Sequence, residues 1–306
     1  MVILGLIHGF KKLTSTLAIL GDSLFDAQNT FTLSSLLGQN PFSDPIYDGG
    51  GNTKASDGLV LGEQIAIEMG GIISDAQNFT VLSFDSPSSV DVHNYAHAGA
   101  RSGQGREFSL SITTESIGVG LSEQVKAFQN RKDFYKATSD VDAIISCGGN
   151  DLLDSLGLVE EIKAAAETST LADDIALAMT IAKPIASNLR MATKKVSRLA
   201  DEVVVIGSLS ITETPEVQGW SLLFTGNRTK KRALGIIERA ENIIDRRLNK
   251  VFNNDSTVSV IKGTEIQNSL DQISFVDTIH PDTATSQDIA ELIVADASRS
   301  LSTFGF

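Results

Sequence analysis

Cysteine is almost absent from this chain: Cys147 is the only one in 306 residues. That excludes an internal disulfide framework and any cysteine cluster able to hold zinc. Tryptophan occurs once, as Trp220, and histidine four times, as His8, His93, His97 and His280, so candidates for a general base are few. Positive charge is short as well. Against 38 Asp and Glu stand 25 Lys and Arg, a formal net charge of −13, which repels phosphate backbones and anionic membrane surfaces and argues against nucleic acid as a partner. No uncharged apolar run approaches the ~20 residues needed to cross a bilayer, so no integral membrane segment is expected. The apolar opening MVILGLIHGF is followed by Lys11 and Lys12, whereas a secretory signal carries its charge first and a small-residue cleavage site last. No signal peptide is therefore expected, and residues 1–13 read as an N-terminal extension.

What is present suffices for a sizeable buried core: 42% of the residues are hydrophobic. The length allows two domains, but α/β sheets with long inserted loops often reach it as one, so a single domain over residues 1–306 is expected. Short β-rich runs recur at 15–20 (STLAIL), 90–96, 141–146, 203–207 (VVVIG) and 257–261 (TVSVI), with helical patterns between them. Such alternation predicts an α/β fold with parallel strands and crossover helices. The runs at 141 and 203 are nearly all apolar, as central strands covered on both faces should be. Over 233–251 the residues Leu234, Ile237, Ala240, Ile244, Leu248 and Val251 fall three and four apart, on one helical face. Residues 160–199 are again helical, with Pro184 expected to divide them into two helices, and a last helix is expected over 283–301. The stretch 39–57, rich in Pro, Gly, Asn and Asp, predicts a long loop over the sheet.

Chemistry-bearing residues cluster at strand ends. Gly21-Asp22-Ser23-Leu24 follows the first strand directly, and a nucleophile there sits at the carboxyl end of the sheet, where α/β folds bind ligands. A helix starting at Ser23 would turn its N–H toward a developing oxyanion; the plainer reading is a helix cap at Asp22 or Ser23. Near the other end, Asp277-Thr278-Ile279-His280-Pro281 sets a carboxylate three residues before an imidazole. One loop then presents a base, His280, and the acid that orients it, Asp277. After the third strand, Cys147-Gly148-Gly149-Asn150-Asp151 offers an amide donor at Asn150, or else a glycine turn with Asn150 left-handed and Asp151 capping a helix. After the second strand, Gly99 is placed to turn its N–H into the same site.

Taken together in this order, GDSL at Ser23, Gly99, GGND at Asn150 and DxxHP at His280 resemble the GDSL esterases, also called SGNH hydrolases, through nearly the whole chain. The resemblance implies a three-layer α/β/α sandwich around a flavodoxin-like parallel sheet of five strands. It implies a catalytic triad of Ser23, Asp277 and His280, and an oxyanion hole of the Ser23 N–H, the Gly99 N–H and the Asn150 side chain, with no cofactor. Lys54-Ala55-Ser56-Asp57-Gly58 leading into Leu61-Gly62-Glu63-Gln64 is similar to the FSDGxVWxE segment of the lipase-like and autotransporter-like branch, without its aromatic residue and its Trp. Such families are often exported.

Asp22, His97 and Trp220 are further candidates for lining a substrate pocket. The segment Trp220, Leu222, Leu223 and Phe224 reads either as a wall for an acyl group or as ordinary packing under a loop. Cys147, at the end of an apolar strand, reads as a core residue, and the basic cluster 228–232 (RTKKR) as a solvated helix start. The spacing of 48–57 does not fit a calcium loop, so no metal is expected. Asn78, Asn227 and Asn254 begin glycosylation sequons that matter only in a eukaryotic secretory pathway. Three readings stay open: an esterase or lipase acting on a small-molecule or lipid ester, a carbohydrate O-acetylesterase with the same triad, and a non-catalytic binding domain that keeps the fold. The oligomeric state has no signature in the sequence.

Overall fold

The computed structural model describes residues 16–35, 40–44, 46–47, 53–69, 82–84, 91–104, 107–109, 116–137, 140–153, 170–219, 226–270 and 272–302. Its strands are β1 (Thr16–Gly21), β2 (Leu82–Phe84), β3 (Asp91–Asn94), β4 (Glu107–Ser109), β5 (Ser116–Gly118), β6 (Val141–Ser146), β7 (Glu202–Ile206) and β8 (Val258–Ile261). Its helices are α1 (Asn29–Ser35), α2 (Leu61–Glu68), α3 (Leu121–Asn130), α4 (Lys132–Ala137), α5 (Gly149–Leu153), α6 (Leu171–Val196), α7 (Pro215–Gly219), α8 (Asn227–Phe252), α9 (Gly263–Asn268) and α10 (Thr283–Ser302). The main sheet runs β2-β3-β1-β6-β7-β8, and β4 and β5 pair separately. From β3 to β8 all pairings are parallel, while the short β2 joins the β3 edge antiparallel. Counted in chain order, the five parallel strands stand 2-1-3-4-5, the flavodoxin-like order.

Alternation along the strands builds the layers. In β1, Ala18 and Leu20 face a core formed with α3, α6 and α8, while Leu17 and Ile19 face a second core formed with α2, α9 and α10. Val203 and Val205 of β7 join the first core, and Val204 and Ile206 the second. A strand with apolar residues on both faces must be covered on both, which makes a three-layer α/β/α sandwich.

Two sequence expectations need correction here. Pro184 does not divide its helix, because α6 runs unbroken from 171 to 196 with Pro184 inside it. Pro184 and Thr180, whose carbonyl loses its intrahelical donor, are both exposed, so water can serve that carbonyl. The opposite face buries Ala178, Ala182, Ile185, Ala186 and Leu189, and this packing outweighs a cost of about 3 kcal/mol. On α8, Val251 is 40% exposed and Phe252, at 3%, takes the inward seat; after several turns the 3.6 period moves the buried face by one residue. The cluster 228–232 lies in the first turns of α8. Residues 1–13, 160–169, Asn78, Trp220, Leu222, Leu223 and Phe224 lie outside the described residues.

Candidate active site

Ser23 follows β1 in a turn, not in a helix: Phe25 N–H donates to Asp22 O at 3.0 Å, and α1 begins only at Asn29. Neither reading of a helix start here holds: α1 begins six residues after Ser23, and Asp26, not Asp22 or Ser23, caps it. Its Oδ1 accepts Asn29 N–H at 2.6 Å and its Oδ2 accepts Thr30 N–H at 3.1 Å. Gly21 makes the turn possible, since a Cβ there would lie 2.8 Å from Ser146 O and 3.0 Å from the Phe25 ring. The buried amide of Gln124 clasps Gly21 from both sides, accepting its N–H at 2.9 Å and donating to its carbonyl at 2.8 Å.

His280 reaches this turn from the far end of the chain. Its Nε2 lies 2.8 Å from Ser23 Oγ, and its Nδ1 lies 2.6 Å from Asp277 Oδ2. Asp277 Oδ1 accepts the backbone N–H groups of Ile279 and His280, each at 2.6 Å, and the Tyr47 hydroxyl donates to Oδ2 at 2.7 Å. Burial alone would raise the Asp277 pKa; the hydrogen bonds and charge of His280 and the two backbone donors overcome it and hold the carboxyl well below the usual carboxylate range. The loop is pinned at both ends. Glu216 N–H at the start of α7 donates to Thr278 O at 2.8 Å, and Asp57 Oδ1 accepts Thr283 N–H at 2.8 Å where α10 begins. Asp57 belongs to the segment singled out beside GDSL, and a buried Lys54–Glu63 ion pair of 2.7 Å holds that segment to α2.

The loop after β3 is clamped against the same turn. Asn29 Nδ2 donates to Asn94 O and Ala96 O at 3.0 and 2.8 Å, and Asp26 Oδ2 accepts Ala98 N–H at 2.8 Å. Gly99 follows with φ 78°, a conformation that glycine adopts without strain. Among the described residues, neither the Ser23 N–H nor the Gly99 N–H meets a protein acceptor. Asn150 sits in the first turn of α5 and donates one Nδ2 hydrogen to Ala100 O at 2.9 Å. Asn150 is not left-handed, since Gly148 carries the positive φ, and Asp151 accepts from Ser102 N and Oγ instead of capping a helix.

An apolar pocket opens beside Ser23, with Leu209, Ile211, Leu270, Ile273, Phe275 and Ile279 among its walls. Asp22 lines it, and burial pushes its carboxyl up to about 6 against the opposing Leu24 N–H bond and the charge of His280. His97 is buried and is not among the lining residues; its Nδ1 has no partner among the described residues, and burial lowers its pKa to about 4. Cys147, just after β6, is 1% exposed and touches both the core and the wall of the pocket, and burial drives its thiol pKa well up, which favours the protonated thiol over the nucleophilic thiolate. Sequence reading missed Tyr47 and Gln124. Tyr47 is one of three tyrosines and stands in the loop expected over the sheet, a weak signal; Gln124 had none.

The order of these residues is that of a known family. A profile described as GDSL-like Lipase/Acylhydrolase matches residues 17–293. No curated relative matches the chain in sequence. Among solved structures, the chain is similar to the acetylxylan esterase Axe2 from Geobacillus stearothermophilus, at 12% identity and TM-score 0.38 over 94% of this chain and 96% of that one. It is similar also to TesA, at 13% identity and TM-score 0.37 over 94% of this chain and 99% of the other. The family match, covering nine-tenths of the chain, carries the assignment, and these distant likenesses add nothing to it. The chain belongs to the GDSL-like lipase/acylhydrolase family and is a carboxylic ester hydrolase.

Proposed function

We propose that this ester hydrolase works through an acyl-enzyme on Ser23 and takes esters whose acyl part is apolar. Ser23 Oγ attacks the carbonyl carbon while its proton passes to His280 Nε2; Asp277 keeps the ring turned toward Ser23 and stabilises the imidazolium. The carbonyl oxygen gains the negative charge, and the Ser23 N–H, the Gly99 N–H and the second Nδ2 hydrogen of Asn150 hold it. On collapse the alcohol leaves with the proton from His280, and the acyl group stays on Ser23. Water then attacks that ester with His280 again as base, the acid departs, and Ser23 regains its proton. Apart from substrate and water, these steps use only the chain's own side chains and backbone.

The observation that carries this reading is the continuous hydrogen-bond chain from Ser23 Oγ through His280 to Asp277. A non-catalytic binding domain has no use for such an alignment, and its reading is disfavoured on that ground. Apolar walls beside Ser23 support an acyl chain as the bound group, since an acetylated sugar would gain little from them. The test compares hydrolysis of p-nitrophenyl acetate, butyrate and octanoate with that of an acetylated xylooligosaccharide. Fluorophosphonate labelling of wild type and Ser23→Ala runs in parallel. Labelling of wild type alone and faster turnover of the longer acyl esters are expected. Preference for the acetylated sugar would overturn the acyl reading, and labelling of Ser23→Ala would overturn the nucleophile.

A further inference from the structure

We infer that Glu241 and Asp245, two buried carboxylates one turn apart on α8, are positioning residues that shape the acyl pocket and so set its chain-length preference. The inference rests on the acyl-pocket reading above. The face that α8 turns inward is otherwise hydrocarbon: Ala233, Ile236, Ile237, Ala240, Ile244 and Leu248. Glu241 and Asp245 lie in that face with 0% and 1% exposure, outside the hydrogen-bond chain at Ser23 and outside the pocket lining. Burying a carboxylate is costly unless polar partners meet it; the partners of Glu241 line the pocket, and the partner of Asp245 Oδ2 lies in the first turn of the helix that carries two lining residues, while Asp245 Oδ1 meets no hydrogen-bond donor among the described residues.

Glu241 Oε1 accepts the Ile211 N–H at 2.8 Å, and Oε2 accepts the Ser210 hydroxyl at 2.9 Å. Ser210 and Ile211 lie in the loop after β7 and line the pocket. Asp245 Oδ2 accepts the Thr264 hydroxyl at 2.7 Å and the Thr264 N–H at 3.3 Å. Thr264 opens α9, which brings Ile266 and Gln267 to the pocket. Two glycines let these segments close on the helix: a Cβ on Gly207 would overlap the Asp245 carboxylate, and a Cβ on Gly263 would overlap Ser208 O. One rigid helix thus holds two wall segments by their backbone and hydroxyl donors. Apolar residues at 241 and 245 would fill the same space but would fix neither loop.

The test measures kcat and KM on the acetyl, butyryl and octanoyl esters for wild type, Glu241→Ala, Glu241→Gln, Glu241→Met and Asp245→Asn, with fluorophosphonate labelling of Ser23 as a separate check on the nucleophile. Glu241→Ala is expected to raise KM for the octanoyl ester about tenfold while kcat on the acetyl ester stays within about threefold. Glu241→Gln, which still accepts the Ile211 N–H, should keep the wild-type profile, whereas Glu241→Met, which fills the same space without an acceptor, should show the octanoyl defect; a role in bulk packing alone would spare both. A folded, labelled Glu241→Ala whose chain-length profile superposes on wild type overturns the inference, as does an equal fall in kcat on all three esters. Should Glu241→Ala fail to fold, Ser210→Ala and Thr264→Val delete donors from the loop side, and unchanged profiles in both overturn it equally. A wild type left unlabelled at Ser23 instead sinks the reading underneath, and the inference with it.

Discussion

Tyr47 and His280 share one acceptor: the Tyr47 hydroxyl and His280 Nδ1 both bond Asp277 Oδ2, at 2.7 and 2.6 Å. With Oδ1 taken by two backbone donors, the carboxylate is fully engaged and has little freedom to rotate away from the imidazole. Tyr47→Phe removes the one donor that, among the described residues, comes from outside the 277–280 loop. We expect kcat to fall about tenfold to a hundredfold with KM nearly unchanged, as for loss of one hydrogen bond to a charged group that never touches substrate. Steady-state kinetics on a short aryl ester check this. A change in KM with kcat intact would place Tyr47 in substrate binding instead.

Asn150→Ala tests the oxyanion site. Turnover should drop about a hundredfold to a thousandfold. The same change deletes the hydrogen bond to Ala100 O, a loss of about 1 kcal/mol in stability, so chemical denaturation should show a modest shift beside a large kinetic defect. Full activity in this variant would remove Asn150 from the site.

Gly21→Ala tests the turn that presents Ser23. Its new methyl group would meet Ser146 O at 2.8 Å and the Phe25 ring at 3.0 Å, and a backbone oxygen of a central strand cannot move aside. Overpacking of this kind destabilises by about 1–3 kcal/mol, and the strand end must shift with Ser23 on it. A lowered denaturation midpoint with loss of fluorophosphonate labelling is the expected pair of results.

Stability should fall as pH rises from about 5 to about 8, and Glu241 should account for part of the slope. Burial raises its folded pKa from 4.5 to about 8, against the bonds from Ile211 and Ser210. Between those values the folded state keeps a proton that the unfolded state has released, so unfolding gains in favour as pH increases. Asp22 and Asp26, each raised from 3.8 to about 6 by burial, act in the same direction over a lower window. Asp277, held below its ordinary range, acts oppositely and weakens the fold in acid as pH drops through and below 3.8. Thermal unfolding of wild type and Glu241→Gln at several pH values measures this, and the variant's curve should be flatter between pH 5 and 8.

Much of the fold was legible because strands and helices carry their own periodicity. The run 141–146 announced a central strand, and β6 lies between β1 and β7; the spacing over 233–251 announced a helix, and α8 contains it. Pro184 misled because a local rule ignores the packing of the helix's other face. The carboxylates at 241 and 245 were invisible in the pattern: side chains that read as solvated on a helix become buried only when loops from elsewhere supply their donors.

By itself the sequence determined which groups exist and in what order: a serine after the first strand, a glycine after the second, an asparagine after the third, and an aspartate three residues before a histidine. Those are local facts, since strand ends and turns follow from neighbouring residues. Tertiary structure alone decided that Ser23 and His280, 257 residues apart, stand within one hydrogen bond, that Tyr47 reaches Asp277 across 230 residues, and that an apolar pocket opens beside them. Contacts over such separations depend on how parallel strands are ordered and how far each crossover carries the chain, and no window of sequence contains that distance.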